Sequence, residues 1–190
     1  MESVRTFIAV PLKLPEKLID LTERVKKACE NEGWGVKWIN LSQLHVTLHF
    51  IGDIDQLVIP LISDSLEDSI SSFKGWRSGI TGFGVFGRGK APRIIWMGFK
   101  NERVFSILKK KIDESLKNIL PIEQELSFKP HATIGRIKRP GNLPGLKEIL
   151  DYYNEDLNVP VEINRVIFYK SELQKKGPIY SPLKTIILKG

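Results

Sequence analysis

Leu44-His45-Val46-Thr47-Leu48-His49-Phe50-Ile51-Gly52 decides the fold, because its core, His45-Val46-Thr47-Leu48, returns later as His131-Ala132-Thr133-Ile134. Each tetrad reads His, small or apolar, Thr, apolar. The chain has three histidines, and two of them head these tetrads, one in each half. Alternate side chains of a β-strand share a face. His45 and Thr47 then point one way, with Val46 and Leu48 behind them. His131 and Thr133 repeat the arrangement over Ala132 and Ile134. One tetrad alone is ordinary, since Thr favours strands and a strand histidine usually packs. Two of matching parity can place two imidazoles and two hydroxyls around one small anion. That is the composition of a metal-free acid–base site for phosphate ester chemistry.

Outward from the tetrads, the chain alternates β and α patterns. Residues 5–10, 36–40 and 44–51 read as strands, the last ending at a Gly52-Asp53 turn. Residues 15–32 form an amphipathic helix with Leu18, Leu21, Val25 and Cys29 near one face, and Pro15 fits its first turn. Residues 54–73 suggest a second helix whose start Pro60 delays or kinks. Residues 76–85 and 93–99 read as strands joined by a Gly-rich loop. Residues 101–120 carry Val104, Leu108, Ile112, Leu116 and Ile119 at helical spacing. The second tetrad occupies a strand at 130–136, a short helix falls at 146–153, and strands at 161–170 and 179–189 finish the chain. No linker rich in Pro, Gly and Ser separates the halves. The expectation is an α+β chain forming one domain over residues 1–190, made of two closely packed lobes, each an antiparallel sheet covered by helices.

Composition bounds the function. With 42% hydrophobic residues in 190, a sizeable core is expected and disorder is not. No apolar run approaches the ~20 residues of a membrane span, and the N-terminus lacks a signal peptide pattern. The lone Cys29 excludes an intrachain disulfide and a cysteine-based zinc site. A cytoplasmic protein is expected. The net charge of +7 favours polyanionic partners, RNA among them. Lys109-Lys110-Lys111, Lys138-Arg139 and Lys175-Lys176 are short clusters, and the first is expected on the solvated face of a helix.

Two further motifs carry a bland reading. His45 and His49 have the spacing of a helical zinc pair, but on a strand they sit roughly 13 Å apart at ~3.3 Å per residue. No metal site is therefore expected. His49 shares the parity of His45 and is placed as a packed or rim residue at the cleft edge. Gly82-Phe83-Gly84-Val85-Phe86-Gly87 is a literal G-x-G-x-x-G, yet no helix follows to receive a pyrophosphate. It reads as a mobile loop between strands; the second reading is a loop bordering the cleft, with Phe83 or Phe86 set to meet a base and Arg88 or Lys90 a phosphate.

With these residues in hand, the chain resembles the 2H phosphoesterases, named for paired H-x-T-x motifs. Within them it looks most like the RNA 2′,3′-cyclic phosphodiesterases, also called 2′-5′ RNA ligases. The likeness extends to Arg5-Thr6-Phe7-Ile8-Ala9-Val10, Arg93-Ile94-Ile95-Trp96, Phe128-Lys129-Pro130-His131 through Arg136, and Gly177-Pro178-Ile179-Tyr180. The resemblance implies a bilobal fold with pseudo-twofold symmetry about a central cleft. It implies hydrolysis of RNA 2′,3′-cyclic phosphate ends to 2′-phosphates, with 2′-5′ ligation as a reverse-type activity and no cofactor. It also implies His45 as acid and His131 as base. Thr47 and Thr133 are expected on the nonbridging oxygens, and Arg136 as a phosphate or ribose contact. Arg136 has the wrong strand parity for this and needs a turn or bulge at Gly135. Phe7 is expected either as a base platform or as core, and Tyr180 in a loop beside the cleft. The partners expected are RNA ends of this kind, tRNA fragments included, with no membrane and a monomeric protein. Two other classes fit the same tetrads. One is an RNA-end binding or processing module, and the other a phosphodiesterase for a small cyclic nucleotide.

Overall fold

The computed structural model describes residues 3–88, 91–122, 127–155, 157–174 and 177–190. Gly89, Lys90, Lys175, Lys176 and the side chain of Arg88 lie outside that description. The strands are β1 (Ser3–Pro11), β2 (Gly35–Trp38), β3 (His45–Asp55), β4 (Trp76–Arg88), β5 (Ala91–Phe99), β6 (His131–Arg139), β7 (Val159–Ile163), β8 (Arg165–Gln174) and β9 (Gly177–Ile187). The helices are α1 (Glu16–Asn31), α2 (Ile59–Ile70), α3 (Glu102–Leu116) and α4 (Leu143–Asn154). No helix of the described residues is long and apolar enough to cross a membrane.

The α+β architecture matches expectation, and the two expected sheets prove to be continuous. The strand order is β7-β4-β5-β6-β3-β1-β8-β9, with β2 also pairing β6. The halves join at β3 and β6 through the antiparallel pair Val46 and Ala132. That seam runs through the second residue of both tetrads. Helices α1 and α4 pack together on one half, α2 and α3 on the other. Phe105, Leu108, Ile112 and Leu116 of α3 are fully buried, worth roughly 1.5–3 kcal/mol each in transfer free energy.

Several boundaries differ from the pattern reading, each for a local reason. Gly52-Asp53 does not end the strand: β3 stays paired to β1 as far as Asp55 opposite Ser3. A register shift opposite Thr6 and Phe7 absorbs one residue, and Gly52 takes φ +87° there. Helix α2 starts at Ile59 because Pro60 fits only its first turn. The glycine run at 82–87 is strand, not loop, paired to β5 up to Arg88 opposite Ala91. Gly84 is required by Trp96, whose ring would lie 2.3 Å from an added Cβ. The stretch 161–170 divides at Asn164 into β7 and β8. Tyr180 stands on β9, opposite Ser171, rather than in a loop. Lys109 of the lysine cluster turns inward and is 7% exposed.

Candidate active site

Both tetrads adopt the expected alternation. Val46, Leu48, Ala132 and Ile134 are buried, at 2% exposure or less, and His45, Thr47, His131 and Thr133 are partly exposed on the other face. Antiparallel pairing of Val46 with Ala132 sets His45 towards Thr133 and Thr47 towards His131. The two histidines are then diagonal neighbours, roughly 7–8 Å apart at the backbone in such a ladder.

Each imidazole is oriented in the same way. His45 Nδ1 lies 2.8 Å from the carbonyl oxygen of Gln43, and His131 Nδ1 lies 2.8 Å from that of Lys129. A carbonyl only accepts, so Nδ1 carries the proton in both rings. Each Nε2 is left as the working nitrogen, a base when the ring is neutral and an acid when it is charged. An aromatic edge stands nearly perpendicular to each ring: Tyr180 at 5.3 Å and 87° from His45, Phe86 at 4.8 Å and 89° from His131.

The strands also break register at the same place. Beside β1, Thr47 faces Ala9 but His49 faces Ile8, so Leu48 is bulged. Beside β5, Thr133 faces Trp96 but Gly135 faces Ile95, so Ile134 is bulged. A one-residue bulge reverses the parity of everything after it. This supplies the irregularity that Arg136 needs to face the site. It also decides the placement of His49, which is packed and not on the rim: it leaves the face of His45 and turns to α3. There its Nδ1 meets Asp113 Oδ1 at 2.7 Å. Phe50 takes the cleft face in its stead.

An open cavity of about 340 Å³ lies beside His45 and Thr47, walled by Arg5, Phe7, Phe50, Arg136 and Tyr180. Sequence reasoning missed Arg5 and Phe50. The Arg5 guanidinium sits 4.9 Å from the Phe50 ring, and the bulge that aims Phe50 leaves no trace in a hydrophobic pattern. Trp96 and Lys129 were missed as well. Trp96 stacks on Phe86 at 4.8 Å, and Lys129 Nζ lies 4.5 Å over the Trp96 ring. Phe7 is packed at 3% exposure, with one ring face against Tyr169 at 5.1 Å and the His45 ring at 5.2 Å, and what remains of it lines the cavity. Phe83 is also buried, on the face turned to α4. Among the described residues no three His, Cys, Asp or Glu side chains cluster as metal ligands.

Burial pushes the His45 imidazole below its ordinary value. Its bond to Gln43 opposes that shift, while positive charge on His131 and on Arg136 adds to it. Of these groups, His45 and Arg136 line the same cavity. Burial likewise raises the Tyr180 hydroxyl, against the pull of Arg136 and Arg5.

Fold and site together define an α+β protein with two H-x-T-x strands meeting across one seam. The model of the 2′-5′ RNA ligase superfamily matches residues 14–175, and the chain belongs to that superfamily. The RNA 2′,3′-cyclic phosphodiesterase of Methanothermobacter thermautotrophicus is 31% identical over 188 residues, which cover 97% of this chain and 99% of that one. The enzyme of the same name from Thermotoga maritima is 33% identical over 192 residues, covering 95% and 93%. Among solved structures, a Thermus thermophilus protein superposes with a TM-score of 0.77 at 25% identity, covering 98% of each chain. E. coli LigT complexed with 3′-AMP superposes with a TM-score of 0.71 at 18% identity over 100% of both chains, a likeness of fold.

Proposed function

We propose that this chain hydrolyses the 2′,3′-cyclic phosphate at an RNA end to a 2′-phosphate, with His45 and His131 as the proton-transfer pair. The observation that carries this is the matched orientation of the two rings, each held at Nδ1 by a carbonyl and each presenting Nε2. One neutral imidazole takes a proton from water as its oxygen attacks phosphorus. The bond from phosphorus to the ribose 3′ oxygen breaks, and the other, protonated imidazole donates to that oxygen. Thr47 and Thr133 donate to the nonbridging oxygens, where negative charge grows. Arg136 neutralises the phosphate from the far side of the bulge. Joining the cyclic phosphate to a 5′-hydroxyl through a 2′-5′ linkage uses the same groups in the same roles, with the hydroxyl in place of water and the bond to the 3′ oxygen breaking again; the roles exchange when such a linkage is cleaved back to the cyclic phosphate.

The resemblance assigns the acid to His45. Burial and the neighbouring cations disfavour a charged His45. The acid role therefore draws on the substrate itself, whose phosphate brings a negative charge beside the ring. The deciding experiment is turnover of a cyclic-phosphate-ended oligonucleotide with identification of the product isomer. A 2′-phosphate formed at an undiminished rate in EDTA is expected. A 3′-phosphate, or loss of activity restored by zinc or magnesium, would overturn the reading. RNA-end binding that survives loss of both histidines, with negligible turnover by the intact protein, would favour the binding-module alternative. Faster turnover of a cyclic mononucleotide than of the oligomer would favour the small-molecule one.

A further inference from the structure

Behind the second half of β3, three ionisable side chains are packed together without touching the cleft. Asp113 of α3 uses both carboxylate oxygens, Oδ1 with His49 Nδ1 at 2.7 Å and Oδ2 with Lys109 Nζ at 2.9 Å. Side-chain exposure is 11% for His49, 22% for Asp113 and 8% for Lys109. Burying such a cluster is costly in desolvation, and an ion pair of this kind gives little stability in return. A fixed geometry is a better account of it.

What it fixes follows from where it leads. The Lys109 ammonium lies 5.7 Å from the ring of Phe128, inside the range of a cation–π contact. Phe128 is followed by Lys129, whose carbonyl orients His131, and then by Pro130, which stiffens the step. The corresponding carbonyl for His45 belongs to Gln43, in a short 3-10 turn that Asn40 caps through the backbone of Ser42. That anchor is local. Residues 127–130 have no helix or strand of their own, so the carbonyl that orients His131 needs a remote one.

We infer that His49, Asp113 and Lys109 are positioning residues that hold Phe128, and through it the Lys129 carbonyl, at a set distance from β3. The cluster thereby ties the orientation of His131 to the strand that carries His45. This rests on the assignment of His131 to the reaction, but its most direct readout does not.

Three histidines give three ring spin systems in a histidine-labelled protein. In the unaltered chain the His131 ring shows the Nδ1–H form alone when neutral. Lys109→Met and Phe128→Leu should turn it into a mixture of both ring forms, while the His45 signals stay in place. Lys109→Arg, which keeps the cation over the ring, should restore the single form. On a cyclic-phosphate-ended oligonucleotide, kcat should fall by about 10- to 100-fold with KM nearly constant, as expected of a displaced catalytic group. Phe128→Leu keeps the apolar packing and serves where Lys109→Met fails to fold. An unchanged His131 ring in a folded Phe128→Leu protein overturns the inference. So does failure of Lys109→Arg to restore the ring in a folded protein. A protein inactive from the outset but with these ring shifts would refute the proposed function and leave the positioning role standing.

Discussion

His45 and His131 stand on one local scaffold and in two different surroundings. Each heads a strand, bonds through Nδ1 to the carbonyl two residues back, and precedes a bulge at the fourth tetrad residue. Around His45 lie Phe7, Tyr169 and Tyr180, and burial lowers its pKa. Around His131 lie Phe86 and Trp96, with Lys129 over the indole. The first residue to regain the cleft face after each bulge is Phe50 on one side and Arg136 on the other. The repeated part supplies two imidazoles held alike, the equivalent proton carriers of the proposed reaction. The unrepeated part makes them unequal, by desolvation at one and by a fixed cation facing it from the other strand.

The largest expected effect tests the shared part. His45→Ala and His131→Ala should each lower kcat by about 10²- to 10⁴-fold, the usual worth of one general acid or base, measured as initial rates on a cyclic-phosphate-ended oligonucleotide. Both side chains are only partly buried, so the thermal midpoints should move little. Full activity in either variant would end the equivalence. Next in size, Thr47→Val and Thr133→Val remove one hydroxyl each at nearly constant shape. A loss of about 10²-fold in kcat is expected from each, by analogy with removal of one donor to a developing oxyanion. Unequal losses would show which side of the phosphate gathers more charge.

Those tetrads were legible because they need only composition and the twofold period of a strand. The helices were legible too, since α1 and α3 bury the stripes their spacing marks out, Leu18 with Val25 and Leu108 with Ile112. Bulges were not, because a register shift is a relation between strands and the sequence shows one strand at a time. Hence His49 was placed on the wrong face and Phe50 was overlooked. Arg136 is the instructive exception. Its parity conflicted with its expected role, and that conflict alone pointed to an irregularity near Gly135. The glycine run at 82–87 misled in the opposite sense. Gly84 there makes room for the Trp96 ring rather than for a flexible loop.

Gly135 and His49 occupy the same place, one step past their bulges, and their difference can be broken directly. A Cβ on Gly135 would fall 2.6 Å from Val36 Cγ1 and 2.9 Å from Trp38 Cε3. Gly135→Ala should therefore destabilise by about 1–3 kcal/mol as β2 is pushed away, measured by denaturant unfolding. Because Trp38 pairs opposite Gly135 and Lys37 opposite Arg136, the same change should displace the guanidinium and raise KM. An unaltered midpoint would mean that β2 yields without cost and that the close approach there is incidental.

The smallest effect separates the two histidines by pH. A ring whose pKa is lower in the folded protein than in the unfolded chain binds fewer protons when folded over the interval between the two values. Unfolding is then favoured as pH falls, so stability is full above the unfolded value of about 6.5 and declines on acidification through it. His45→Gln should flatten that decline between pH 7 and pH 5, seen as a smaller loss of denaturant midpoint than the unaltered chain suffers. The change is small because other groups titrate in the same interval. Inorganic phosphate supplies the sharper contrast. An anion bound between the tetrads opposes the charges of His131 and Arg136, so it should raise the pKa of His45 in a ring titration. If phosphate leaves that titration where it was at saturating concentration, no anion sits between the two strands, and the inequality of the histidines has no part in binding the substrate.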